Sequence, residues 1–243
     1  MIPTVMGAVV LVAAFIKGAI GFGFPALGTP LLSLVTDVKT AVVVLIIPNI
    51  VMDGIQFVRR GTPLVTMRRF GILLVSGAVG VVLGTRVLTL LSPRAATLIL
   101  GLFVVVFVAL NASGLSPKVP AHWEAWLSAP AGFVAGVIGG VTNAPATALV
   151  LYFHAIGLGK HDFVSSVAFT FFFYKAVQLG AVTWYGLLPW ALLWPSLVLT
   201  AVGLVGFAFG LRVQDRLDQR TFNRAVLAFL GGLGAWLLIR GLW

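Results

Sequence analysis

The chain has 243 residues, 60% of them hydrophobic and only 9% charged, with a mean hydropathy of +1.11. A soluble domain needs roughly a quarter of its residues charged, and a bilayer crossing uses about 20 residues, so a water-soluble globule is excluded and no length remains for a fused ectodomain, kinase or motor. The net charge of +10 fits the basic cytoplasmic loops of a polytopic protein better than nucleic-acid binding, and with no cysteine there is no disulfide, thiolate catalyst or thiolate metal site.

The N-terminal Met1-Ile-Pro-Thr lacks a basic stretch before its apolar run, so the run reads as a first membrane segment rather than a cleaved signal. Residues 3–36 form one long apolar run, broken at Gly21-Phe-Gly-Phe-Pro25. Plain runs follow at 40–58, 70–91 and 95–113. After a polar loop at 115–123 comes a second long run, 124–158, broken at Gly139-Gly-Val-Thr-Asn-Ala-Pro145. Plain runs at 163–184, 188–210 and 222–242 complete the chain. The order long-broken, plain, plain, plain occurs twice. The expectation is therefore an all-α polytopic membrane protein forming a single transmembrane domain over 1–243. It would consist of two repeats, 1–120 and 121–243, each a broken helical hairpin plus three transmembrane helices.

A register check supports duplication. Gly18 and Gly21 match Gly136 and Gly139 at a spacing of 118. Asp53 and Gln56 match Lys175 and Gln178 at 122, and the Gly-xxx-Gly-x-Arg segment 80–86 matches 206–212 at 126. Arg59, Arg60, Arg68 and Arg69 mark one cytoplasmic loop, and Arg212, Arg216, Arg220 and Arg224 another. The uncharged loop after residue 184 reads as external. The segment ending near 58 then exits inside and its mate ending near 184 exits outside, so the repeats are inverted, as in many secondary transporters. Inversion needs an odd number of crossings per half. Each long run must then be a hairpin, with two arms of roughly 16 residues and a tip inside the membrane, past its middle.

The tips are the first candidate site. Pro25 and Pro145 each follow a glycine-rich break and precede an apolar helix, and Thr142 and Asn143 are natural N-caps. A helix N-terminus in a dry cavity is an anion site, and Gly21 and Gly23 let a ligand approach the backbone. The plain alternative is that Gly and Pro only mark kinks. Buried charge comes next. Asp53 and Lys175 lie within apolar runs, where an ionisable group costs several kcal/mol unless paired or wet. They read as a structural salt bridge, as a substrate and proton-coupling pair, or as a pair of which one charge snorkels away, with Gln56 and Gln178 on the same helix faces. Lys17 near the first tip either draws an anion inward or snorkels to an interface. His154 reads as a core histidine, and the histidines lack metal-ligand spacing. Asn49 lines the cavity or bonds backbone freed at Pro48. Arg86 and Arg212 anchor helix ends or gate the path, and Trp184, Tyr185, Trp190 and Trp194 form an interfacial belt.

The tip Gly18-Ala-Ile-Gly-Phe-Gly-Phe-Pro-Ala-Leu-Gly-Thr-Pro30, the segment 139–145 and the Gly-xxx-Gly-x-Arg helix ends together resemble the TauE/SafE family of sulfite and organosulfonate exporters over nearly the whole chain. Thr142-Asn143-Ala144 stands where the commoner family pattern has a denser glycine run. The resemblance implies a compact permease for sulfur-containing anions, driven by an ion gradient. The combined expectation is a non-enzymatic, cofactor-free secondary transporter of sulfite or an organosulfonate in the bacterial inner membrane. Lys17, Gly21, Gly23, Pro25, Gln56, Thr142, Asn143, Pro145, Lys175 and Gln178 would bind substrate, and Asp53 would couple the ion. The expected partners are a small anion and membrane lipid, not nucleic acid, with a homodimer left open. A passive anion channel of the same fold is the alternative.

Overall fold

In the computed structural model, which describes residues 2–21, 23–60, 68–113, 118–213 and 219–242, every element is a helix. They are α1 (Ile2–Ile20), α2 (Phe24–Leu32), α3 (Val38–Val44), α4 (Ile46–Arg60), α5 (Gly71–Leu90), α6 (Pro93–Ala112), α7 (Glu124–Thr142), α8 (Ala146–Ala155), α9 (Lys160–Trp184), α10 (Trp190–Val213) and α11 (Gln219–Leu242), with a 3-10 turn at Ala121–Trp123. Among the described residues, 7 helical stretches are long and apolar enough to cross a membrane, and Val226–Leu242 is a shorter apolar helix. The chain is a multi-pass membrane protein. Exposed apolar side chains such as Val75, Val79, Leu197 and Phe209 on these helices suit a lipid surround. Trp184, Trp190 and Trp194 are all more than 70% exposed at helix ends.

Each broken run forms a hairpin, but its arms are unequal. α1 and α7 have 19 residues each, whereas the return helices α2 and α8 have 9 and 10. At 1.5 Å per residue the first arms run about 28 Å and the return arms about 14 Å, half the hydrocarbon thickness. The expected equal arms of about 16 residues are corrected accordingly. The run 40–58 is also divided, because Pro48 has no N–H to offer Val44. The Val44 carbonyl accepts instead from Ser196 Oγ at 2.8 Å.

The structure divides into two compact units, each drawing on both halves of the sequence. The first comprises Met1–Pro48, Leu90–Leu115 and Leu188–Trp243, and the second Asn49–Thr89 and Ser116–Leu187. Glycines set the helix contacts in both. In the first unit α1 lies along α10. A Cβ on Gly210 would strike the Phe15 carbonyl and the Ala19 nitrogen, and one on Gly18 would meet the Phe207 carbonyl and the Leu211 nitrogen. In the second unit α7 lies along α5. A Cβ on Gly80 would strike the Phe133 carbonyl and the Val137 nitrogen, and one on Gly136 would meet the Gly77 carbonyl and the Val81 nitrogen. In the first unit α6 and α11 also pack together, running antiparallel. Gly234 faces Val104, Gly101 faces Leu237 and Leu238, and Gly231 faces Val108. Backbone-to-backbone approach of this kind is how membrane helices gain dispersion contact without a hydrophobic driving force.

Candidate anion site at the hairpin tips

The second tip is the more fully furnished. α7 ends at Asn143, which takes a left-handed conformation (φ 70) and sends its N–H back to the Gly139 carbonyl at 2.8 Å. Asparagine is one of the few side chains that tolerate this conformation. Thr142 donates to the Ile138 carbonyl at 2.8 Å and accepts from the Ala144 N–H at 3.3 Å. Neither side chain caps α8, whose N-cap is Pro145 with no side-chain hydrogen bond. The expected N-cap role for Thr142 and Asn143 is thus corrected: Asn143 closes α7, and its side chain serves another partner.

That partner is Lys175 of α9, only 1% exposed. Its ammonium donates to Asn143 Oδ1 and, at 2.5 Å, to Gln178 Oε1. Gln178 lies one turn on and donates through Nε2 to the carbonyls of Gly139 (3.1 Å) and Gly140 (3.3 Å). Asn143 and Gln178 each offer it a neutral amide oxygen, and its charge stands beside the negative end of the α7 dipole. The tip therefore gathers one buried cation, a tethered helix C-terminus and the uncapped N-terminus of α8. Amides of the first turn of α8 have no intrahelical acceptor, so they can turn to a ligand.

The first tip repeats the uncapped return helix in its own unit. Gly21 (φ 96) donates its N–H to the Lys17 carbonyl at 2.7 Å, and Gly23 (φ 101) forms the N-cap of α2 without a side-chain bond. Pro25 sits in the first turn of α2, and both Gly23 and Pro25 are buried. Lys17 in the last turn of α1 is 0% exposed, which rules out snorkelling to the surface.

Asp53 and Gln56 are buried on α4, and Asn49 one turn earlier is fully buried with neither amide atom hydrogen-bonded among the described residues. Asn49 therefore does not serve the backbone freed at Pro48. Thr170 and Thr85 are buried in the same unit with hydroxyls that find no hydrogen-bond partner among the described residues, and nothing in the sequence distinguishes them from ordinary membrane-helix threonines. His154 is exposed, not a core residue. Arg86 stacks over Tyr185 and Arg212 over Phe209, at 5.5 Å each, as helix-end anchors do. Arg60, Arg216, Arg220 and His161 lie outside the residues whose side chains are described.

A family model described as "Sulfite exporter TauE/SafE" matches residues 6–237, nearly the full length. The chain belongs to the TauE/SafE sulfite exporter family. Its membership, with the membrane-length helices, makes it a membrane transporter of sulfur compounds rather than a member of an enzyme family. No curated protein and no solved structure matches it.

Proposed function

We propose that this TauE/SafE member is a secondary transporter of sulfite or an organosulfonate, coupled to an ion gradient and working by alternating access. The observation that carries the reading is the buried Lys175, held by Asn143 and Gln178 beside the uncapped N-terminus of α8. An oxyanion at this tip gains a cation and free amides together, the combination that stabilises anions at helix ends. Thr142, the Asn143 turn and Pro145 join α7 to α8 at this tip. In the first unit Gly21, Gly23, Pro25 and Lys17 form a similar uncapped tip, and Gln56 lies on α4 in the second unit. Asp53, buried on α4 in the same unit as Lys175, is the proton-coupling carboxylate.

Helix pairing supports the inverted repeat that alternating access uses. Phe15 and Ala19 correspond to Phe133 and Val137 at the hairpin spacing of 118, and they contact Gly210 and Gly80 respectively. Gly80 then corresponds to Gly210 at a spacing of 130, one helical turn from the 126 suggested by motif alone. Phe207 and Leu211 relate to Gly77 and Val81 by the same 130, as does Gly101 to Gly231 and Val104 to Gly234. Under that register α6 and α11 are equivalent helices packed antiparallel on one another, the arrangement a two-fold axis in the membrane plane generates.

Proteoliposome flux tests the reading. Lys175→Ala should abolish sulfite-dependent thermal stabilisation and transport. Asp53→Asn should keep anion exchange but lose accumulation driven by a proton gradient. Wild-type flux that ignores the gradient would leave a passive anion pathway, and no flux of any sulfur anion would remove the reading.

A further inference from the structure

In the first unit, residues 33–38, the start of α6 and the end of α11 enclose a cleft of about 550 Å³. Val38 and Pro93 open two of the apolar spans, and Gly241 lies at the close of α11. The cleft thus sits where three helices leave the hydrocarbon, at the level of lipid headgroups.

Three charged groups line it: Arg94, Arg240 and Asp37. Arg94 donates to the carbonyls of Gly241 (2.8 Å) and Leu242, tying down the end of α11. Arg240 donates to the Ser33 carbonyl at 3.3 Å, and its guanidinium lies 5.3 Å from the ring centre of Trp236. A guanidinium has five N–H groups, so these bonds leave about three on Arg94 and four on Arg240 for a ligand. Asp37 caps α3, accepting from the Thr40 N–H at 3.0 Å and the Thr40 hydroxyl at 2.5 Å. Burial pushes its carboxyl up, but the Thr40 hydroxyl and nearby amides outweigh that and hold it below its ordinary value, so it is ionised at neutral pH. Among the described residues no ion pair within 4.0 Å joins Asp37 to either arginine. The hydroxyls of Ser33, Thr36 and Thr97 donate to the carbonyls of Pro30, Leu32 and Pro93, so toward the cleft they can only accept.

The cleft therefore holds two cationic donors together with an anionic acceptor and hydroxyl oxygens, and no ion pair among the described residues joins Asp37 to either arginine. One ligand satisfies both: an oxyanion joined to an ammonium. Exposed Ile239 and Leu242, the sequence neighbours of the lining residues Arg240 and Gly241, offer apolar surface for acyl chains. We propose that it seats the headgroup of a phosphatidylethanolamine-type lipid, with the phosphodiester on Arg94 and Arg240 and the primary ammonium on Asp37.

The full chain is reconstituted in phosphatidylcholine vesicles containing phosphatidylethanolamine or phosphatidylglycerol, then extracted, and retained lipid is counted by native mass spectrometry. Phosphatidylethanolamine should be retained over both others. Arg240→Gln should weaken that retention about tenfold, the effect of one charge-assisted hydrogen bond. Asp37→Asn should keep lipid bound but abolish the preference for ethanolamine over glycerol. Asparagine caps a helix as well as aspartate does, so that loss reports on charge and not on folding. Equal retention of the three lipids or an unchanged preference in Asp37→Asn would each overturn the proposal.

Discussion

Asn143 couples backbone and charge at one position. Its φ of 70 is strained for most side chains, while its amide oxygen accepts from Lys175. Glycine adopts this conformation without strain, so Asn143→Gly should keep the turn and remove only the acceptor. We expect thermal stability within about 1 kcal/mol of wild type and sulfite affinity lowered about tenfold, read by calorimetry against Asn143→Val, which should also lose stability. Lys17, Asp53 and Lys175 stood out in the sequence because charge is scarce in this chain and ionisable groups inside membranes are costly. What Asn143 does was not legible. A Thr-Asn-x-Pro segment suits a helix start through its caps and a helix stop through a left-handed asparagine followed by proline. The choice depends on Lys175, which lies 32 residues further along the chain.

At the scale of helices, the seams are built from backbone meeting backbone. A Cβ on Gly18 would come within 2.9 Å of the Gly210 Cα and the Leu211 nitrogen. Main chain cannot step aside as a flexible side chain can, so the helices must separate. Gly18→Val should therefore destabilise the protein by about 2–3 kcal/mol, seen as a lower unfolding midpoint in detergent. Gly7→Val, at a glycine with no atom within 4 Å, is the control and should leave the midpoint nearly unchanged. The number and order of apolar segments were readable from hydropathy. The unequal hairpin arms were not, because apolar residues continue through Leu34 and Val35 after α2 has ended at Leu32. Nor was the register of the seams. Gly-xxx-Gly repeats after four residues, so sliding it by one turn leaves the pattern nearly intact, and in the proposed repeat it takes contacts such as those opposite Gly80 and Gly210 to favour 130 over 126.

For the molecule as a whole, the cysteine-free sequence gives a clean background for labelling. If the halves are inverted, Arg59→Cys and Trp184→Cys, at the ends of corresponding segments, should react with an impermeant maleimide from opposite sides of the membrane. Labelling of both from one side would contradict the inversion. The family was legible because its motifs run along almost the entire chain. The division into two units was not, because each takes helices from both halves and hydropathy carries no record of which distant helices meet. That interleaving has a consequence for biogenesis. α1 is made first, but the surface that covers Gly18 belongs to α10, which begins at Trp190. At about 5–20 residues per second, the ribosome needs on the order of ten to thirty seconds to reach it. For that interval the bare strip along α1 faces only lipid or an insertion helper. A nascent chain stalled before Trp190 keeps the strip uncovered for good, which gives quality-control proteases a physical mark by which to tell an unfinished copy from a complete one.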